Sequence, residues 1–342
     1  MRRRTLLVLG GAAAVTITAA ILLAPERVEH ATLEGEGGLA FPGLAGQLAA
    51  ARRIELRRHD GAVTLERRGE AWVLPEKGGY PARPDRVREL LVGLTELRLA
   101  ERRTADATQL DRLGLDDPAR QGSSAVLVRV LDEGGRPLAE LVVGRRRVRT
   151  QGRVPESAYV RRPAETQAWL AEGRLPVDAD AQLWLDRDIA NLPADRVRRV
   201  EVRRADQPPL VLARDGAEER LALLEPAEGP PADEVALDEV GRAFEFLTFH
   251  EVRPAAEVPG EALGEARFIL AGELAITVLP HREGEALWIR LAAEGGAEAE
   301  RLDARWSGWA YQVGPWKERA FLPRLEELRR REAEAAPPAA PR

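Results

Sequence analysis

Four histidines, His30, His59, His250 and His281, are the only imidazoles in the chain, and no two lie three or four residues apart. One face of a helix would present a metal-ligand pair at that spacing, so a metal site here needs ligands converging from separate loops. His59 stands beside the turn pair Asp60-Gly61 and reads as solvated. Asp178, Asp180, Asp186 and Asp188 form the densest carboxylate group. A calcium loop needs a glycine at its bend and a distal bidentate carboxylate. Neither follows here, so two of these aspartates are expected to cap or open a helix, where a negative group meets the positive end of the dipole.

Arg145, Arg146, Arg147 and Arg149, followed by Arg153, make a basic loop. Lipid headgroups, an anionic polymer or an acidic protein surface would suit it, and a solvated hairpin loop is the plainer account. It lacks the interleaved aromatics of single-strand nucleic-acid binding. Among the tryptophans, Trp72, Trp169, Trp184 and Trp288 sit inside apolar runs and read as core. Trp306, Trp309 and Trp316 lie among glycines and charges and are the better surface candidates, where exposed indoles would stack on sugars, although core or hairpin packing is the plainer account of them too. The nucleophile elbow, the phosphate loop and the H-E-x-x-H pattern are all missing. None of the four serines, Ser123, Ser124, Ser157 and Ser307, has a neighbouring histidine. No catalytic, cofactor-binding or metal residue is assigned, and the chain reads as non-catalytic.

The elements that would position these residues begin with residues 5–24, which carry no charged side chain and follow Arg2, Arg3 and Arg4. At about 1.5 Å per residue such a helix reaches about 30 Å, a bilayer's hydrocarbon core. The arginines before it, against Glu26, Glu29, Glu34 and Glu36 after it, predict an N-terminus in the cytoplasm and everything beyond outside it. A cleaved secretory signal is the competing reading, but the long apolar run and the missing cleavage triplet favour an uncleaved signal anchor. With no cysteine, disulfides, thiolate metal sites and lipid attachment through cysteine are excluded. A net charge of -5 gives no case for a nucleic-acid partner.

Residues 26–38 are charged, glycine-rich and aperiodic, a linker. A short helical lead-in is expected at 41–51. Alternation at Ile54 and Leu56, then Val63 and Leu65 across Asp60-Gly61, predicts a hairpin, with residues 72–74 a third strand. Val87, Leu90, Leu91, Leu94 and Leu97 fall on one helical stripe. Residues 125–131 and 138–143 read as strands, as do Tyr159 and Val160, leading into a short helix ending near Leu170. The second half repeats this order. Val200-Glu201-Val202 answers Ile54-Glu55-Leu56; Leu237, Val240, Phe244 and Leu247 repeat the stripe; Leu263-Gly264 answers Leu113-Gly114; and Tyr311 answers Tyr159. Residues 178–191 are expected to form a helical bridge.

The fold class expected is α+β: an N-terminal transmembrane helix, then a duplicated unit of antiparallel sheet with a packed helix. The domains expected are cytoplasmic start and anchor 1–25, linker 26–38, repeats 39–177 and 178–330, and a disordered tail 331–342.

The lead-in Phe41 to Leu44, Tyr80-Pro81-Ala82 before a helix, Leu113-Gly114-Leu115 with Asp117-Pro118, Leu141-Val142-Val143-Gly144, Tyr159-Val160-Arg161 and Trp184-Leu185-Asp186 together resemble a bacterial family, domain of unknown function 4340. The resemblance implies a membrane-anchored envelope protein, often encoded beside ABC-type permease components similar to those associated with gliding motility. It carries over no catalytic residue. The function expected is a non-catalytic, extracytoplasmic accessory or assembly protein of an ABC-type transport complex in the inner (cytoplasmic) membrane. Its expected partners are the lipid bilayer through residues 5–24 and a permease or associated membrane protein. The alternative is an envelope module binding glycan or lipid headgroups.

Overall fold

The computed structural model describes residues 37–147, 156–214, 220–258 and 262–329. The apolar segment 5–24, His30, Arg149, Arg153 and the tail lie outside them. Among the described residues no helix is long and apolar enough to cross a membrane.

The architecture is mostly antiparallel sheet with a few short helices. In chain order come α1 (Leu44–Gln47), β1 (Arg53–Arg58), β2 (Gly61–Arg68), β3 (Ala71–Leu74), β4 (Tyr80–Pro81), α2 (Pro84–Glu96) and β5 (Arg98–Arg102). Then follow β6 (Val126–Leu131), β7 (Pro137–Arg147), β8 (Ser157–Arg161), β9 (Trp169–Glu172), β10 (Asp188–Ala190), β11 (Val197–Arg203), β12 (Leu210–Arg214) and β13 (Leu221–Glu225). The rest are α3 (Glu234–Gly241), β14 (Leu247–Thr248), β15 (Glu251–Pro254), β16 (Glu265–Leu270), β17 (Leu274–Glu283), β18 (Ala286–Gly295), α4 (Ala297–Trp306), β19 (Trp309–Val313) and α5 (Lys317–Phe321).

The first sheet runs β4-β3-β2-β1-β6-β7-β8-β9-β5 and the second β13-β12-β11-β16-β17-β18-β19-β15, while β10 and β14 form a separate pair. From β3 and β13 onward the two orders coincide. So do the registers: Leu56 lies opposite Val128 as Val202 lies opposite Ala266, and Val142 opposite Arg161 as Leu279 opposite Arg290. Because Val160 faces Trp169 and Ile289 faces Tyr311, Tyr159 answers Trp288 and Tyr311 answers Trp169. This corrects the expected match of Tyr311 with Tyr159. Helix α4 stands between β18 and β19, where β8 and β9 are joined by a short loop without a helix, so equal spacing along the chain misaligns the strands.

Contacts divide the chain into two compact units, the described residues up to Val63 with Asp85–Asp180, and Thr64–Pro84 with Ala181 onward. In the first, Ile54 and Leu56 alternate with charged neighbours and are buried, as are Val128, Val130 and Leu141 and the α2 residues Val87, Leu90 and Leu94. Gly93 lets α2 approach closely, since a Cβ there would stand 2.3 Å from the carbonyl oxygen of Arg174. A second small core, of Leu110, Leu115, Ala125, Val142, Tyr159 and Ala168, forms beneath the 3-10 turn Ala107–Leu113. Asp106 caps that turn by accepting from the Thr108 N–H, and it closes at Gly114 with φ +67.

Arg161, buried beside this core, donates from Nε to the Leu115 carbonyl at 2.6 Å and from Nη1 to Pro163 at 2.9 Å and Arg162 at 3.1 Å. Burial pushes its guanidinium below the usual arginine value, against the pull of Asp117 and Asp116. Two loop segments bend around one cation in this way. At the edge of the unit, residues 37–40 lie along β5: Gly37 N–H donates to Leu99 O at 2.6 Å, Leu99 N–H to Gly38 O at 2.9 Å, and Ala40 N–H to Leu97 O at 2.7 Å.

The helix expected near Leu170 is strand β9. Trp169 and Leu170 alternate between faces, and their backbone partners are β8 and β5 rather than the preceding turn. The helical bridge expected over 178–191 is likewise absent: there is a 3-10 turn at Ala181–Leu183 and strand β10. Within the second unit Leu185 forms a bridge to Ala82, and the Trp184 carbonyl accepts the Arg83 N–H, so these backbone groups are already engaged across the chain.

Tyr80 is buried in the second unit among Trp309, Phe249 and Tyr311, with ring centroids at 5.0, 5.4 and 6.2 Å. Its hydroxyl donates to the Asp186 carbonyl at 3.1 Å. Burial pushes its phenol up to about 12 and pushes that of Tyr311 up as well. The fold therefore favours both neutral phenols. Their contribution is complete below the ordinary phenol value of about 10 and is lost as pH rises from there through the raised value. In a Tyr159→Phe background, phenolate absorbance is expected to appear only together with loss of near-ultraviolet circular dichroism. Phenolate rising near pH ~10 with the fold intact would contradict this burial.

Candidate functional site

The second unit displays two large aromatic side chains to solvent, Phe246 at 78% and Trp316 at 68% exposure. Helix α3 begins with Asp233 accepting the Val235 and Ala236 N–H groups and ends at Gly241, short of the stripe read through Leu247. Phe244 turns inward onto Phe268 and Phe321, with centroids at 5.0 and 5.6 Å. Phe246 turns outward with φ +47. The helix has already ended at that point, and after this left-handed residue Leu247–Thr248 pairs with β10. For a residue with a bulky side chain it costs about 1–2 kcal/mol. Its backbone N–H donates to Asn191 Oδ1 at 3.2 Å, and the Glu245 carboxylate before it accepts the Ala194 N–H at 3.0 Å.

Trp316 stands immediately before α5, its indole folded over Gly314, where a Cβ would come within 2.2 Å of the ring. His250 meets it edge-on at 6.4 Å. Lys317, next to Trp316 in the chain, donates from Nζ to the Ala243 carbonyl at 2.9 Å, an acceptor past the end of α3. Burial pushes its amine below the usual lysine value, and Glu245 and Glu239 oppose that shift. The chain has two lysines, Lys77 and Lys317, and both are committed here, since Lys77 is bound to Glu251 at 2.8 Å. Phe246 and Trp316 each present exposed aromatic area at the surface of this unit, which is apolar area available for contact.

The residues singled out from sequence are dispersed. His59 is exposed, 3.9 Å from Asp60; His281 is buried on β17; only His250 joins the aromatic surface. Among the described residues no group of three acids or histidines could hold a metal ion. Asp178 pairs with Arg86 and Arg146, and Asp186 with Arg305, so they tie segments together within their own units. The Asp188 backbone carbonyl also accepts from Arg305. Of the three tryptophans read as surface candidates, Trp316 is exposed, Trp309 is half-buried beneath Tyr80, and Trp306 is fully buried with its Nε1 donating to the Ile189 carbonyl at 3.1 Å. Arg145, Arg146 and Arg147 belong to the end of β7 and are exposed. Phe246 was missing from that reading. Its signal was an aromatic lying off the stripe that Phe244 continues.

A cleft of about 500 Å³ in the same unit is lined by Asp206, Gln207, Pro230, Arg324, Leu325, Glu326 and Arg329. Its arginines are engaged: Arg324 with Asp206 at 2.7 Å, Arg329 with the carbonyls of Pro226, Glu228 and Pro230. They close the chain around the cleft and leave no convergent donor for a ligand.

A family model described as Domain of unknown function (DUF4340) matches residues 72–264, more than half of the chain. No curated protein and no solved structure matches.

Proposed function

The chain belongs to the family described as Domain of unknown function (DUF4340), and from that premise we propose a membrane-anchored, extracytoplasmic accessory or assembly protein of an ABC-type transport complex. In this reading residues 5–24 span the inner (cytoplasmic) membrane with the N-terminus in the cytoplasm. The coincident strand orders and registers descend from a duplicated unit, and the protein is non-catalytic. Its contact with the permease is the surface of Phe246 and Trp316. The observation that carries this reading is Phe246, a large apolar side chain held outward at a backbone cost that nothing in its own unit recovers by burial.

Phe246→Gly separates strain from use. Glycine adopts φ +47 freely, so the variant is expected to gain about 1 kcal/mol of stability. It should also lose partner recovery when the tagged full-length chain is cross-linked in cells and purified in mild detergent. Enrichment of a permease and its ATPase over an anchor-only control, reduced in Phe246→Gly and in Trp316→Ala, is the expected result. No enrichment, or recovery indifferent to both substitutions, overturns the reading.

The alternative, an envelope module binding glycan or lipid headgroups, draws for glycan on Trp316, since Trp306 is buried and Trp309 half-buried, and for headgroups on the exposed Arg145 to Arg147.

A further inference from the structure

Around Tyr159 the first unit gathers guanidinium groups, of which Arg147 pairs with no carboxylate among the described residues. Arg147, at the end of β7, lies over the Tyr159 ring at 5.2 Å, and Arg103 approaches the same ring at 6.0 Å. Arg145 packs against Gly114, where a Cβ would stand 3.1 Å from its Cγ, which sets it beside the turn that ends in Arg112 and Leu113. The acids nearby are otherwise occupied. Glu101 holds Arg103 at 2.6 Å, Asp106 accepts from Thr108 and Gln109, and Asp111 accepts the Arg112 backbone N–H. Among the described residues Arg112, Arg145 and Arg147 have no ion-pair partner, and all three are exposed. A guanidinium lying over an aromatic ring keeps its N–H edge free, the geometry that suits a phosphate oxygen pair.

The chain reaches this unit along β5. The antiparallel bridge of Leu39 with Arg98 directs the backbone at Gly37 toward the end of β5 where Arg103 follows. Between Ala24 and Gly37 the fully extended chain spans at most about 45 Å. If residues 5–24 lie in the bilayer, the first unit stays within that reach of its surface.

We propose that Arg112, Arg145 and Arg147 around Tyr159 form a docking surface for the anionic phospholipid headgroups of the membrane that anchors the chain. The proposal rests on the anchored reading. A unit tethered beside a charged surface needs only weak individual contacts, since the tether holds it at high local concentration.

The test uses the full-length chain with Gln109→Cys, the sole thiol in a protein without cysteine, carrying a donor dye on the exposed turn that bears Arg112. It is reconstituted in vesicles of phosphatidylcholine alone, or with one part in three phosphatidylglycerol, with a trace of headgroup-labelled acceptor. Energy transfer is expected to rise with phosphatidylglycerol, corresponding to about a tenfold larger ratio of docked to undocked unit. It should fall back in Arg145→Glu/Arg147→Glu, whose circular dichroism verifies folding, and with added salt. Equal transfer in both lipids, or a lipid effect untouched by charge reversal, overturns the proposal. So does a lipid effect abolished by inorganic phosphate but not by chloride of equal ionic strength, which would mark a site for the free ion. Alkaline extraction reads the anchor separately. If the chain is released, the anchored reading fails, and the same labelled chain is sedimented with preformed vesicles. Binding indifferent to phosphatidylglycerol there overturns the docking surface in its own right.

Discussion

Arg161→Met is expected to destabilise the first unit by about 3 kcal/mol, measured as a lower denaturation midpoint with an unchanged slope. Methionine fills a similar volume, so the loss is not one of packing. It lies in the carbonyls of Leu115, Arg162 and Pro163, which turn toward one guanidinium at 2.6 to 3.1 Å and would be left facing a thioether. Those of Glu165 and Asp116, at 3.4 and 3.3 Å, would lose weaker contacts. Several orphaned acceptors at a buried position cost more than one bond, because each has already given up water. The counterpart in the second unit provides the control. Among the described residues Arg290 reaches one carbonyl, that of Val258, at 3.4 Å, and Arg290→Met is expected to cost about 1 kcal/mol. Equal effects at the two positions would show that the carbonyl cage contributes nothing beyond a general arginine effect.

Trp306→Ala is expected to cost about 3–5 kcal/mol. The indole is fully buried at the end of α4, and its Nε1 holds the Ile189 carbonyl of β10 at 3.1 Å. Removing it opens a large cavity and frees that acceptor together. Trp306→Phe keeps most of the volume and isolates the hydrogen bond, with an expected loss of about 1 kcal/mol beyond the smaller ring. If alanine and phenylalanine were equally damaging, the hydrogen bond and not the packing would hold α4 in place.

What the sequence made legible was whatever depends on near neighbours. Ile54 and Leu56 alternate with charges, and they lie on β1; Val87, Leu90 and Leu94 share a stripe, and they line α2. Trp169 and Leu170 were misread because two adjacent apolar residues fit a helix or a strand, and only β8 and β5, distant in the chain, decide between them. Residues 178–191 failed for the same reason, their partners lying near Ala82 and Thr248. Glycines and charges around Trp306 left it a surface candidate beside the core reading, yet Ser307 and Gly308 form the turn into β19 and the indole is buried. Pattern marks Phe246 only as an aromatic off the stripe that Phe244 continues. A left-handed φ and an outward ring are properties of the packed chain, and composition records neither.

Among the described residues, three backbone hydrogen bonds lay residues 37–40 along β5, and this decides how the first unit answers mechanical load. A pull directed along β5 strains all three bonds together, so they must rupture as a set. A pull away from the sheet peels them singly, beginning at Gly37. The junction is therefore stiff to tension in one direction and compliant in the other, and the direction of a force applied at Gly37 selects between holding and letting go.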